Sequence, residues 1–197
     1  MSDSSGKRRI TSEHITGLIL AGGHSRRFGA PKAFVHVAGK PMIEHVYDAI
    51  RPLVHTVYIS RGTHPETLPW PAPSFPDQIP ETGPLGGIYS AFQQTSTPWL
   101  LVTACDMPFL TSTALQLLLK LSSIPAQAHV AVDTHQRRHP LCACYHRSCL
   151  PFIEEALQNQ SYALQELLQQ LPTVQWIPLP DKVLQNINTR SDLEALL

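Results

Sequence analysis

One stretch near the N-terminus decides the fold: residues 15–32, which read ITGLILAGGHSRRFGAPK. The stretch begins with a near-continuous apolar run, 15–20, which is typical of a strand covered on both faces. Glycines follow directly, and glycines after a strand let backbone N–H groups approach an anion closely. Ser25 adds a hydroxyl donor, while Arg27 and Lys32 add the positive charge that phosphate oxygens attract. The stretch predicts a buried strand and a phosphate-binding loop, although an ordinary turn with solvated basic side chains has the same composition.

Beyond this loop, strand-length apolar segments alternate with segments of helical period, which is typical of a mostly parallel sheet with βαβ crossovers. Further strands are expected at 55–60, 74–75, 99–103, 130–132, 141–145, 174–177 and 183–186. Helices are expected from about 41, at 85–94, from a Thr111 cap to about 121, at 148–158, at 162–171, and after a Ser191 cap. The expected architecture is a three-layer α/β/α fold with a mostly parallel Rossmann-like sheet. Residues 15–197 are predicted to form one domain behind a solvated tail, residues 1–14.

Composition narrows the classes of function. The chain has 197 residues, and 15 Lys and Arg balance 15 Asp and Glu, which argues against a nucleic-acid backbone as the main partner. Hydrophobic residues make up 43%, so the chain is not of the disordered class. No run approaches the roughly 18 apolar residues of a membrane span. Four cysteines are too few for a disulfide framework in a chain this long, which favours a reducing compartment, and we expect the cytoplasm.

Two further segments carry candidate metal ligands. Asp106 lies just past the apolar segment 99–103, at the carboxyl end where open α/β sheets bind ligands. One carboxylate is sufficient for Mg²⁺ together with phosphates and waters. The alternative is an aspartate that closes a turn before Pro108. The Cys and His residues of 139–149 do not have the spacing of paired zinc ligands, so we expect them to be structural.

Five segments together resemble one family. They are the loop 20–32 with the pattern LAGGxSxRxGxxK, GPLGG at 83–87, CDMP at 105–108, NINT at 186–189, and the Asp-Leu pair 192–193. The loop alone is similar to that of sugar-nucleotide and terpenoid-pathway cytidylyltransferases. The combination resembles the molybdenum cofactor guanylyltransferases, within the nucleotidyltransferase superfamily, over nearly the whole chain.

This resemblance implies transfer of GMP from GTP to the terminal phosphate of molybdopterin, with release of pyrophosphate and with Mg²⁺ as cofactor. It also implies transient contact with molybdenum cofactor biosynthesis proteins or apo-molybdoenzymes. The site residues that it implies are Leu20, Ala21, Gly22 and Gly23 around the nucleotide, Lys32 at its phosphates, Asp77 on the nucleotide, Asp106 on the metal, and Asn186 and Asn188 on the pterin side. Arg27 is assigned with Lys32 and Asp106 to catalysis, since phosphoryl transfer depends on positioning and electrostatic stabilisation.

Several alternatives stay open from the sequence. Members of the family often have Asn at the end of the second strand, where this chain has Ser60, and Ser60 is left out of the predicted site. GPLGG is either a helix N-terminus that faces an anion or only a tight turn. Another nucleotidyltransferase, with CTP or a different phosphorylated acceptor, is the nearest rival, although related cytidylyltransferases tend to have LAAG in place of LAGG. A nucleotide-binding carrier that performs no catalysis is a rival of another class.

Overall fold

A computed structural model describes residues 10–22, 31–63, 69–120 and 126–194 of the chain. The strands are β1 (Ile15–Leu20), β2 (His36–Val37), β3 (Lys40–Pro41), β4 (Thr56–Ser60), β5 (Ser74–Phe75), β6 (Trp99–Ala104), β7 (Ala128–Val132), β8 (Arg138–His146) and β9 (Val174–Pro178). The α-helices are α1 (Met42–Ile50), α2 (Gly83–Gln94), α3 (Ser112–Leu118), α4 (Leu150–Gln158), α5 (Leu164–Gln170) and α6 (Arg190–Glu194). Short 3₁₀ helices are Ser12–His14, Lys32–Phe34, Arg51–Leu53, Arg147–Cys149 and Asp181–Leu184.

Seven strands form the central sheet in the order β5-β4-β1-β6-β8-β7-β9. Neighbouring strands are parallel except β8, which is antiparallel to both β6 and β7. β2 and β3 form a separate antiparallel pair. The predicted mostly parallel sheet is confirmed, and β1 has the predicted bounds because its continuous apolar run is buried between two helical layers.

Helices cover both faces of the sheet. Apolar side chains of α1 and α3 pack with Ile15 and Ile19 of β1 on one face, and those of α2, α4 and α5 pack around Leu18 on the other. Successive residues of β1 therefore serve opposite cores, as the two-residue period of a strand requires. The Thr111 hydroxyl accepts the Ala114 N–H at the start of α3, as predicted. The predicted three-layer α/β/α architecture is confirmed.

The C-terminal segment differs from the prediction in two places. The expected strand 183–186 is wrong: Asp181–Leu184 is a 3₁₀ helix, and Leu184 packs into the core while the Asp181 carboxylate accepts the backbone N–H of Thr134. Ser191 is not the cap of the last helix, because α6 already begins at Arg190. The Thr189 hydroxyl accepts the Asp192 N–H instead, in a capping box.

The predicted tail, 1–14, falls mostly outside the described residues, since the description begins at residue 10. Residues 11–14 are exposed, while Ile10 packs against the core. Within the described ranges, none of the helices has the length and apolar character needed to cross a bilayer.

Candidate active site

The carboxyl ends of β1, β4 and β6 lie side by side and build the candidate site. Leu20, the last residue of β1, is in register with Ser60 of β4 and with Ala104 of β6. The loop connections continue this alignment, because Ala21 donates its N–H to the Ser60 carbonyl at 2.9 Å and Cys105 donates to the Leu20 carbonyl at 3.0 Å. Three loops thus emerge at one edge of a parallel sheet, where open α/β folds bind ligands.

A lysine, an aspartate and two asparagines meet at this edge. Lys32 Nζ donates to Asp106 Oδ2 and to Asn188 Oδ1, both at 2.6 Å. Asn186 Nδ2 donates to Asp106 Oδ1 at 3.3 Å. The side chains of Lys32 and Asp106 are only 18% and 16% exposed, so their ion pair is partly shielded from water. Four of the sequence-predicted residues therefore form one hydrogen-bonded cluster, which we call the Lys32 cluster: Lys32, Asp106, Asn186 and Asn188.

The segment 186–189 reaches the cluster as a loop, not as the strand that the sequence suggested. Ile187 is buried and donates its N–H to the Asp106 carbonyl at 2.9 Å, so the loop is fastened to the residue that it supports. Asp192 Oδ2 accepts the N–H groups of Asn188 and Thr189 at 2.7 and 2.8 Å. These hydrogen bonds lower the pKa of Asp192. Asp192 thereby fixes the backbone that carries Asn188.

The turn after β1 lies against the turn after β4. A Cβ on Gly22 would lie 2.5 Å from the backbone N and Cα of Gly62, closer than Cβ contacts occur. Gly62 itself has φ +57°, in the left-handed region that glycine tolerates. Glycine at position 22 therefore permits a close approach of two backbones beside the candidate nucleotide site.

Asp77 lies at the β4 side of the site and is held by Ser60. The buried Ser60 hydroxyl donates to Asp77 Oδ1 at 2.5 Å. Burial raises the pKa of the Asp77 carboxyl, and the Ser60 hydrogen bond partly opposes that shift. In the described ranges Asp77 Oδ2 has no protein hydrogen-bond donor, so this oxygen is the acceptor left for a ligand.

The GPLGG motif forms the first turn of α2 and packs against the ends of β1 and β4. A Cβ on Gly87 would lie 2.5 Å from Leu20 Cδ2 and 2.8 Å from Ser60 Oγ. A Cβ on Gly86 would lie 2.0 Å from the Thr82 hydroxyl. Close packing accounts for both glycines, and it brings the N-terminus of this twelve-residue helix beside Ser60.

The donor set of the Lys32 cluster fits a magnesium ion that arrives with a nucleotide. Among the described residues, no group of three His, Cys, Asp or Glu side chains is arranged to hold a metal by itself. Asp106 provides one carboxylate, and Mg²⁺ in proteins is usually held by one or two carboxylates together with waters and phosphates. Lys32 Nζ lies 2.6 Å from Asp106 Oδ2, so a metal ion at this oxygen requires the ammonium group to move.

The cysteines of 142–149 are part of the core, as the sequence predicted. Cys142, Cys144 and Cys149 are buried free thiols. Burial raises the pKa of Cys142 and Cys149 to about 12, so both stay protonated at neutral pH. His139 pairs with Asp133 and not with a cysteine.

Known proteins that are similar to this chain identify its family. Residues 17–174 match the family of the MobA-like NTP transferase domain. The chain belongs to that family. A relative from Desulfosudis oleivorans named "Molybdenum cofactor guanylyltransferase" is 33% identical, over 91% of this chain and 93% of its own length. Another from Flavobacterium johnsoniae, named "Probable molybdenum cofactor guanylyltransferase", is 32% identical over 93% and 97%.

The fold of this MobA-like chain is also similar to a solved structure. Molybdopterin-guanine dinucleotide biosynthesis protein A from Archaeoglobus fulgidus superposes with a TM-score of 0.73 at 23% identity, over 92% of this chain and 96% of that one. The similarity supports the nucleotidyltransferase type of sheet predicted from the sequence. The family resemblance predicted from the five sequence segments is confirmed.

Some predicted site residues of the MobA-like domain are not described by the structure, and two residues with a role in the site were not predicted. Gly23, Ser25 and Arg27 lie outside the described residues, and their predicted roles stay predictions. Sequence reasoning missed the contribution of Ser60, whose pairing with Asp77 depends on how the intervening loop folds. It also missed Asp192, although Thr189 and Asp192 have the T-x-x-D spacing of a capping box, which is a signal readable from sequence.

Proposed function

We propose that the protein transfers GMP from GTP to the terminal phosphate of molybdopterin, releasing pyrophosphate. The observation that carries this proposal is the Lys32 cluster at the carboxyl edge of the sheet, where Lys32 Nζ lies 2.6 Å from both Asp106 and Asn188. A phosphate-binding cation and a metal-binding carboxylate are thereby adjacent. The names of the relatives supply the substrate class.

The proposed reaction requires no strong general base. A phosphate oxygen of the acceptor, already ionised at neutral pH, forms a bond to the α-phosphorus of GTP. The bond from that phosphorus to the bridging oxygen breaks, and pyrophosphate leaves with that oxygen and its electron pair. Such a displacement depends on alignment and on charge stabilisation, which the Lys32 cluster is built to provide.

The ammonium group of Lys32 has a different partner in the site without nucleotide and in the site with nucleotide. Without nucleotide, its ammonium group balances the charge of Asp106, with 2.6 Å between Nζ and Oδ2. Triphosphate oxygens offer that ammonium group a stronger partner, and its move toward them frees Asp106 Oδ2 for a divalent ion. We propose Asp106 as the ligand of Mg²⁺, which when bound neutralises charge developing between the α-phosphorus and the departing pyrophosphate.

The nucleoside is proposed to lie between the β1 turn and Asp77. Asp77 Oδ2 is an acceptor for N–H donors of a guanine or hydroxyl groups of a ribose, and Ser60 holds the carboxylate in place through Oδ1. The LAGG form of the loop, where related cytidylyltransferases tend to have LAAG, favours GTP over CTP. The alanine that a LAAG loop has at position 22 would clash with the Gly62 backbone, so this chain needs the LAGG form.

A carrier that binds nucleotide without turnover is the second candidate function, and the Lys32–Asp106 ion pair argues against it. Binding alone does not require a carboxylate with a paired cation at the triphosphate. We also propose that the reaction takes place in the cytoplasm, where the four cysteines, all buried free thiols, stay reduced.

The test is pyrophosphate release by the purified protein with molybdopterin and each of GTP, CTP, ATP and UTP, with MgCl₂ or with EDTA. We expect release with GTP and MgCl₂, together with formation of molybdopterin guanine dinucleotide. Asp106→Asn, which keeps the shape of the side chain, is expected to abolish release. GTP binding without pyrophosphate from the wild-type protein would favour the carrier, and release with CTP alone would contradict the nucleotide assignment.

A further inference from the structure

A pocket of about 830 Å³ opens beside the Lys32 cluster, on the side away from β4. One wall is the turn between β7 and β8, from Asp133 to His139, and the opposite wall is the segment from Asp181 to Asn188. Asn186 and Asn188 line this pocket and also contact Asp106 or Lys32. The pocket is therefore continuous with the site of proposed transfer, and its size is that of small-molecule sites.

The two acidic residues that line the pocket accept hydrogen bonds that stabilise its walls. Asp133 Oδ1 accepts the N–H groups of His135 and Arg137 at 2.9 and 2.8 Å. Asp181 accepts the N–H and the hydroxyl of Thr134 at 2.8 and 2.6 Å, which joins the two walls. The N–H and O–H donors offset part of the negative charge of these carboxylates, and Asp133 Oδ2 also lies 3.2 Å from His139 Nε2, so both acids hold the walls of the pocket.

The basic residues of the pocket have capacity for a ligand. Within the described ranges, the guanidinium of Arg137 makes no hydrogen bond or ion pair, and the residue is exposed. His139 Nε2 lies 3.2 Å from Asp133 Oδ2, and with that nitrogen engaged, Nδ1 is the ring nitrogen left for a ligand. The His139 side chain is only 14% exposed, so its orientation is held by Asp133 and by packing. Arg138 is fixed at the rim, where its guanidinium lies 4.4 Å from the centre of the Trp176 ring.

We propose that Arg137 and His139, which line this pocket, contact an anionic part of the acceptor of the transfer reaction. The acceptor's phosphate then reaches the Lys32 cluster past Asn186 and Asn188. This inference rests on the proposed function, and it adds two residues to the pterin side, where the family resemblance places Asn186 and Asn188. A phosphorylated acceptor carries negative charge, and a guanidinium with an imidazole next to it supplies the matching donors.

The test compares Arg137→Ala and His139→Ala with His135→Ala. His135 belongs to the same turn and is exposed, but it does not line the pocket, which makes it a matched control. Two quantities are measured with molybdopterin and GTP: the Kd for molybdopterin by direct titration, and the two KM values from pyrophosphate release. We expect each pocket variant to raise the Kd and the KM for molybdopterin at least tenfold, with the KM for GTP within twofold and with His135→Ala like wild type.

The outcomes separate this inference from the proposed function. Pyrophosphate release with an unchanged molybdopterin KM in both pocket variants would keep the function and overturn the acceptor site. Molybdopterin binding that depends on Arg137, without any pyrophosphate release, would keep the site and overturn the function. A rise in the KM for GTP alone would place nucleotide in the pocket and overturn the inference. Absence of both binding and release in the wild-type protein would refute both. Because Arg137 is exposed, its variant tests the site even if His139→Ala unfolds.

Discussion

Replacement of Lys32 by methionine separates the structural task of this side chain from its proposed catalytic one. Methionine keeps an unbranched stem and removes the ammonium group that lies 2.6 Å from Asp106 Oδ2 and from Asn188 Oδ1. Among the described residues, the Asp106 carboxylate then keeps only the Asn186 amide as a hydrogen-bond donor, at 3.3 Å. The two effects of the variant have different expected sizes, so they are measured separately.

The effect on stability is expected to be small. Loss of a hydrogen bond to a charged group costs about 1.5–3 kcal/mol when the remaining charge is buried. The Asp106 side chain is 16% exposed, so water compensates in part. We therefore expect Lys32→Met to lower the free energy of unfolding by about 1–2 kcal/mol.

The effect on turnover is expected to be larger. Removal of one preorganised donor that stabilises transition-state charge reduces kcat by about 10²–10³-fold, which corresponds to about 2.7–4 kcal/mol. Pyrophosphate release measures kcat, and urea unfolding measures stability. Lys40→Met is the matched control, because Lys40 pairs with exposed Asp48 in a surface ion pair. A kcat for Lys32→Met within threefold of wild type would remove Lys32 from the mechanism, and an equal loss in Lys40→Met would show an effect of net charge alone.

Three further predictions follow from the described contacts. Gly22→Ala places a Cβ 2.5 Å from the Gly62 backbone, so we expect a loss of about 1–3 kcal/mol in urea unfolding and weaker GTP binding by calorimetry. Asp192→Asn removes the carboxylate that holds the Asn188 backbone, so we expect a lower kcat. In the wild type, the contribution of the Asp192 carboxylate to stability is present above pH 3.8 and is lost as the pH falls through the lowered pKa of Asp192 in the folded state. His129 is fully buried and burial lowers its pKa, so unfolding binds a proton and stability should fall as the pH drops below 6.5, by at most about 1.4 kcal/mol per unit from this group.

Each of these has its own control. Gly39→Ala changes a turn glycine whose Cβ would meet open space but whose φ of +80° strains alanine, so it controls for GTP affinity and not for stability. GTP affinity should stay at the wild-type value, and equal weakening would contradict the contact with Gly62. Asp48→Asn changes an exposed acid outside the site, and a kcat loss equal to that of Asp192→Asn would show a general charge effect. His129→Leu should flatten the stability profile between pH 7.5 and 5.5, and an unchanged slope would assign the proton uptake to another group.

The strands around the site were predictable because burial requires a distinctive pattern of apolar residues. A strand covered on both faces is apolar along nearly its whole length, and β1 has that pattern from Ile15 to Leu20. Asp106 was predictable for a related reason, since a polar residue directly after such a strand lies at the ligand-binding edge. The family resemblance then added Lys32, Asn186 and Asn188 to the same edge.

The contacts between the side chains of the site were harder to predict from the sequence. Lys32 and Asn188 are 156 positions apart, and no local pattern records that their side chains meet. The predicted strand 183–186 was wrong because its apolar residues suit a strand and a short buried helix equally well, and the contact of Asp181 with Thr134 decides between them. Ser60 was not included in the predicted site because its role is a hydrogen bond to Asp77. The proline-rich loop between them brings Asp77 next to the end of β4, and the sequence does not show this contact.

The hydrogen bond from the Ile187 N–H to the Asp106 carbonyl has a consequence for synthesis of the protein. Strands β1 and β6, and Asp106 just after β6, leave the ribosome well before the loop that completes their edge. A nascent chain that has exposed only these strands still lacks Asn186 and Asn188, so the Lys32 cluster is incomplete until the segment 186–188 has emerged and packed against Asp106.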